Sequence, residues 1–220
     1  MEWTSLVKLL KLLFGGALTS MQLFFATLII ALPLGLVVAL GRRSKKPWVR
    51  GPIKLYILVM RGTPLLLQII FVYFAPSFML PEGFRLNLDR FVAAVIAFSL
   101  NYAAYFAEIY RGGIESIPQG QYEAAAILGF TKTQTFMRII LPQVIKRILP
   151  PISNEVITLV KDTALVQILG ISELFRVAKN AASRIFSTTP LFIAGLFYLA
   201  MNWLVTKVFN LLEKKLSYYK

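Results

Sequence analysis

Apolar residues in this chain fall into five long blocks, separated by short stretches rich in Lys, Arg and other polar residues. The blocks cover about 12–41, 53–76, 91–111, 145–168 and 190–212. Each has about the 20 residues that an α-helix needs to cross a hydrocarbon core. The pattern predicts an all-α integral membrane protein, a single transmembrane domain over 1–220 with five spanning helices. The fourth block carries the most polar positions, and its Pro150 and Pro151 followed by an apolar stretch suit a broken helix buried against protein. The first block is too long for a secretory signal and lacks a small-residue cleavage site, so it is expected to be retained. Between the last two blocks, GISELFRVAKNAASR puts Leu174, Val177 and Ala181 at helical spacing, which predicts an amphipathic helix lying at the membrane surface.

Composition narrows the chemistry. The chain is 57% hydrophobic with a mean hydropathy of +0.68. It contains no cysteine and no histidine, so disulfides, thiol chemistry and the commonest general base and metal ligand are absent. No catalytic residue or metal site is expected. The net charge of +14 does not point to nucleic acid, because the cations gather at the ends of apolar blocks, where topology and anionic lipid account for them. Sorting Lys and Arg by side gives 15 on one side of the five spans and 7 on the other. The positive-inside rule then predicts an outside N-terminus, a cytoplasmic C-terminus, and a cytoplasmic loop over about 112–144.

That loop contains EAAAILGFTKTQTFMRIILP, residues 123–142. Pro118 and Pro142 bracket good helix formers, so a short helix bounded by turns is expected. Glu123 falls in its first turn, where a carboxylate complements the macrodipole. Ala124 and Ala125 leave room for a close approach, Gly129 permits a turn, and Phe130 and Phe136 offer rings to a partner. Glu123, Ala124, Ala125, Gly129, Leu141 and Pro142 stand at the spacings of the EAA loop by which membrane subunits of bacterial ABC importers grip their ATPase.

Further segments extend the likeness over nearly the whole chain: YILVMRGTPLLLQ (56–68), AAVIAFSLNYAAYFAEIYRGGIESIPQGQYEAA (93–125), NEVITLVKDTALVQILGISEL (154–174) and the basic C-terminal tail. The sequence resembles the polar amino acid permeases of the histidine/glutamine/arginine uptake family, transmembrane subunits of type I ABC importers, and is most similar to an arginine-type permease. The resemblance implies the five-helix permease core, location in the bacterial inner membrane, and a pathway formed by two permease subunits, either two copies of this chain or this chain with a sister permease, general oligomer symmetry weakly favouring the homodimer. It implies a cytoplasmic ABC ATPase dimer that binds ATP and Mg, because this chain has no G-x-x-x-x-G-K-[ST] loop. It also implies an extracytoplasmic solute-binding protein.

Polar residues inside the blocks bear on the cargo, since they are costly in lipid and usually face an interior cavity. Asn101, Tyr105 and Glu108 share one helical face, and Glu155, Thr158 and Asp162 share another. With Gln68 they could line a path for an amino acid, Glu155 and Asp162 attracting a cationic side chain; Asn101, Thr158 and Gln68 would supply polar contacts. Equally, the groups could satisfy one another, Asp162 with Arg61 or Lys161 and Glu108 with Arg111. Arg61, Gly62, Thr63 and Pro64 interrupt the second block as a gate hinge, a subunit contact or a packing kink. The alternative to an ATP-driven importer is a secondary transporter or channel for amino acids, which the EAA loop and the lack of a detectable inverted repeat disfavour.

Overall fold

The computed structural model describes residues 3–79, 81 and 87–216; Arg85 and Lys220 of the charge count lie outside the described residues. Helix α1, Trp3–Arg42, runs for 40 residues with Pro33 inside it. Its main partner is α4, Arg90–Glu115. The two helices meet through small residues: Ala93, Ala94, Ala97, Ala103, Ala104 and Ala107 of α4 are all buried. At Gly35 of α1 a Cβ would lie 2.8 Å from the Phe106 Cβ and 3.1 Å from the Ala103 carbonyl oxygen. Small side chains replace the missing hydrophobic drive between membrane helices by close van der Waals contact. Asp89 starts α4 as an N-cap, accepting from the Phe91 amide at 2.9 Å and the Val92 amide at 3.2 Å.

The second apolar block is not one straight crossing. Helices α2, Pro47–Gly62, and α3, Leu65–Phe78, meet at a bend of 113°. Pro64 has no amide hydrogen to continue the helix, and Thr63 before it is extended at φ −120° and ψ 148°. Among the described residues, α1 from Leu6, α4 and α9 (Thr189–Leu216) are long and apolar enough to cross a membrane, and the bent α2–α3 pair would be a fourth span.

The loop after α4 forms α5, Gln119–Ile127. The chain then re-enters helix at α6, Lys132–Gln134, behind a Thr131–Gln134 capping box. A π-helical turn, Thr135–Ile140, carries it straight into α7, Leu141–Asp162. Pro142, expected to end a short helix, instead occupies the first turn of α7, where its missing amide hydrogen costs least. In the preceding π turn the Leu141 amide bonds to the Phe136 carbonyl, five residues back. Nor does α7 break at Pro150 and Pro151, as the sequence suggests. It continues through both, held on its inner face by Ser153, Val156, Leu159 and Val160, and gives way only at a 3₁₀ helix, Thr163–Leu169.

The expected amphipathic helix is α8, Leu174–Ile185. Leu174, Ala178 and Ala181 are buried and pack on Leu9, Leu13 and Ala17 of α1. Glu173 caps α8 from a buried position: its two carboxylate oxygens accept from the Arg176 amide at 2.6 Å and the Phe175 amide at 2.7 Å, and Tyr198 of α9 donates to it at 3.1 Å. Burial pushes this carboxyl up, against the stabilising pull of the two amides. The first half of α1 thus sits with α8, Arg176 and Lys179, whereas Arg42 at its other end reaches Glu108 near the end of α4.

Candidate functional site

The polar face of α4 is spent on the break between α2 and α3. Asn101, buried, donates from its amide nitrogen to the Met60 carbonyl at 2.9 Å and to the Gln68 side-chain oxygen at 3.0 Å. Gln68 donates in turn to the Met60 carbonyl at 3.0 Å, the Thr63 carbonyl at 3.1 Å and the Thr63 hydroxyl at 2.8 Å. The carbonyls freed when Pro64 stops the helix are thereby recaptured, as an apolar surrounding demands. One turn on, the Arg61 guanidinium lies 5.2 Å from the Tyr105 ring centroid and 3.9 Å from the Glu108 carboxylate. Glu108 also meets Arg111 at 2.7 Å and Arg42 at 3.6 Å. Arg61, Gly62, Thr63 and Pro64 therefore form an elbow held in this conformation by three successive turns of α4.

Removing one pin has a calculable effect. Asn101→Ala leaves the Gln68 side-chain oxygen without its donor and the Met60 carbonyl with Gln68 alone, which is expected to cost about 1–3 kcal/mol. Thermal unfolding of the detergent-solubilised protein should show a lowered midpoint. An unchanged midpoint would mean that the elbow is held from elsewhere.

The polar face of α7 is organised differently. Asp162 accepts a hydrogen bond from the Tyr102 hydroxyl at 2.7 Å, and pairs with neither Arg61 nor Lys161 within salt-bridge distance. Thr158 turns its hydroxyl back to the Asn154 carbonyl at 3.0 Å. Glu155, half-buried one turn before Thr158, makes no hydrogen bond or ion pair among the described residues, and Arg61 and Asp162 are the charges that act on it. Tyr102 was not singled out from sequence. Its place next to Asn101 on α4 put it on a face that reads as core.

The loop presents a separate surface. Helix α5 ends in a Schellman motif: the Phe130 amide bonds to the Ala125 carbonyl and the Gly129 amide to the Ala126 carbonyl, both at 3.0 Å, with Gly129 at φ +79°. Ala125 is buried. Phe130 and Leu141 are half-buried; Glu123, Ala124 and Pro142 are exposed. Phe136 faces inward, joining Tyr122, Ile139 and Ile148 around Ile114, Ile117, Ile140 and Val144. This cluster, with an Arg147 bond to the Ser116 carbonyl, seats the loop on the ends of α4 and α7. Sequence reasoning missed the tip: Ile127 is 87% and Leu128 73% exposed. Two large aliphatic residues between the alanines and Gly129 were the available signal. Among the described residues no cluster of His, Cys, Asp and Glu is arranged to hold a metal ion.

An apolar helical bundle with a polar elbow at mid-span and a short seated helix at one end is the permease fold of type I ABC importers. The chain belongs to the family of binding-protein-dependent transport system inner membrane components, which matches residues 31–218. A solved structure described as an amino acid ABC transporter with histidines superposes with a TM-score of 0.87 at 34% identity, covering 98% of this chain and 99% of that one. The MetNI methionine ABC transporter shares the fold, with a TM-score of 0.74 at 16% identity and the same coverage. Among curated relatives, the L-cystine transport system permease protein TcyB of Bacillus subtilis is 37% identical over 94% of this chain and 88% of that protein. The arginine transport system permease protein ArtQ of the same species is 36% identical over 99% and 98%. The glutamine transport system permease protein GlnP of Escherichia coli is 33% identical over 98% of both. Relatives with three different cargoes thus stand at nearly equal identity.

Proposed function

We propose that this chain is the transmembrane subunit of an ATP-driven importer for polar, basic amino acids, its N-terminus outside and its C-terminus in the cytoplasm. The observation that carries the cargo is the half-buried Glu155 carboxylate, which has no hydrogen-bond partner among the described residues and shares its α7 face with Asp162. An intramembrane carboxylate without a donor is costly, and a cationic side chain passing Glu155 would relieve that cost. Asp162 adds a second negative charge, Thr158 borders it, and Asn101 and Gln68 hold the elbow that forms the facing wall.

The energy comes from outside the chain. An ABC ATPase dimer, holding ATP and Mg, docks on Glu123, Ala124, Gly129 and the Ile127–Leu128 tip. Closure of that dimer pushes α5, and the clustered ends of α4 and α7 transmit the push to the helices that line the path, which open alternately to the two sides. A second copy of the chain completes the pathway, and a solute-binding protein delivers cargo at the outer face. Arg61 to Pro64 act as the gate elbow. The bearing of the relatives on this reading is their shared task of moving amino acids.

Affinity purification of the tagged chain with its neighbouring gene products, followed by uptake in proteoliposomes, tests the reading. An ATPase should co-purify, and labelled arginine should enter only with ATP. Uptake driven without ATP or ATPase would favour a secondary transporter or channel instead.

A further inference from the structure

At the α8 end of the bundle, α3, the start of α4, the 3₁₀ helix and α8 enclose an open cavity of about 580 Å³. Arg90, Arg176 and Lys179 line it, with Gln167, Asn180 and Tyr73 as polar wall. Two of the cations converge on one point. A Cβ built on Gly170, itself at φ +82°, would lie 2.8 Å from Nη1 of Arg176 and 3.0 Å from Nη1 of Arg90. Neither arginine, nor Lys179, makes an ion pair with a described carboxylate. The nearby described acids are committed elsewhere: Asp89 caps α4 through the Phe91 and Val92 amides, and Glu173 is turned inward to α8 and Tyr198. Among the described residues the Arg176 guanidinium reaches one acceptor, the Gln167 carbonyl, at 3.5 Å.

Like charges that converge with no described carboxylate in salt-bridge range repel one another, Glu173 acting on Arg176 only from farther off, and guanidiniums in a fork geometry match carboxylates. We propose that this cavity is a socket for acidic side chains of the extracytoplasmic solute-binding protein. The proposal rests on the importer reading and on the outward placement of α8. A free basic amino acid is a poor occupant, because it carries net positive charge into a site with three cations. An acidic protein rim brings several carboxylates at once and gains on-rate from the field. At the other end of α8, Phe186 is 97% exposed at φ 50° beside Ile185 at 49%, an aromatic and aliphatic contact separate from the cavity.

The test uses the assembled permease and ATPase in neutral-lipid nanodiscs, titrated with the substrate-loaded binding protein while ATP hydrolysis is followed. Replacing Arg90→Gln and Arg176→Gln together should raise the half-saturating concentration about tenfold and flatten its salt dependence. Basal hydrolysis without binding protein should be unchanged, and the Arg90→Lys, Arg176→Lys pair should recover most of the loss. Lys179→Gln, at an exposed position, should show a smaller shift in the same direction and serves if the double variant fails to fold. Wild-type stimulation with unaltered variants removes the socket while leaving the importer reading intact. No stimulation of the wild type removes both. A defect seen only when anionic lipid is added assigns the cavity to a lipid phosphate, and weaker binding of free arginine without binding protein assigns it to the substrate; either overturns the proposal.

Discussion

Gly129→Val is expected to cut ATP-driven uptake at least about tenfold while ATP hydrolysis by the docked ATPase continues. Gly129 holds φ +79°, a left-handed conformation that costs an L-residue roughly 1–2 kcal/mol, most for a β-branched one. Nothing lies within 4 Å of a Cβ built there, so the penalty comes from the backbone and not from collision. The turn relieves it by rotating out of the Schellman geometry, which moves Ile127 and Leu128 away from where the partner meets them. A shift of about 1.4 kcal/mol is tenfold in a docking equilibrium. Gly129→Asn should be tolerated, since asparagine visits this region readily. Parallel assays of hydrolysis and arginine uptake in proteoliposomes, with thermal unfolding as a fold control, check the series. Full coupling in the valine variant would remove the loop from the drive mechanism.

How far the sequence reveals this fold depends on the range of the interaction concerned. Helix positions were legible because apolar runs and helical spacing are local signals: α4 covers 90–115 where the pattern marks 91–111, and α8 buries Leu174 and Ala181 as its spacing predicts. The elbow was legible as an interruption, because Pro64 after Gly62-Thr63 removes an amide donor and disfavours helix at Thr63, but its 113° angle was not. That angle is set by what recaptures the freed carbonyls, and Asn101 does so from 41 residues away. Pro142 and Pro150–Pro151 misled for a related reason. A proline marks a lost hydrogen bond, and whether the helix stops or absorbs the loss, as the π turn and the buried face of α7 do here, depends on tertiary packing. The polar face of α4 was correctly grouped, yet periodicity alone could not tell that Asn101, Tyr105 and Glu108 all serve the elbow. Glu173 reads as an ordinary surface glutamate before an amphipathic helix, and only the docking of α1 and α9 over it makes it buried.

That same sorting of the polar faces sharpens the cargo prediction. With the α4 face engaged at the elbow, Glu155 is the acidic group in the span region left without a hydrogen bond among the described residues. Glu155→Gln keeps the shape and removes the charge, so it should weaken arginine and lysine binding on the order of 10- to 100-fold, the range of a hydrogen bond to a charged group. Glutamine, which brings no side-chain charge, should bind about as before. Asp162→Asn should have a smaller effect on the cations, because Tyr102 already satisfies one of its oxygens at 2.7 Å. The measurement is equilibrium binding of labelled arginine, lysine and glutamine to the detergent-purified complex of each variant. Equal losses for all three amino acids would make Glu155 a structural residue of α7, and unchanged affinity for the cations would move the cargo site elsewhere in the pathway. A loss confined to the cations would mean that charge at Glu155 sets the choice, and that relatives with uncharged cargoes must make theirs with other groups.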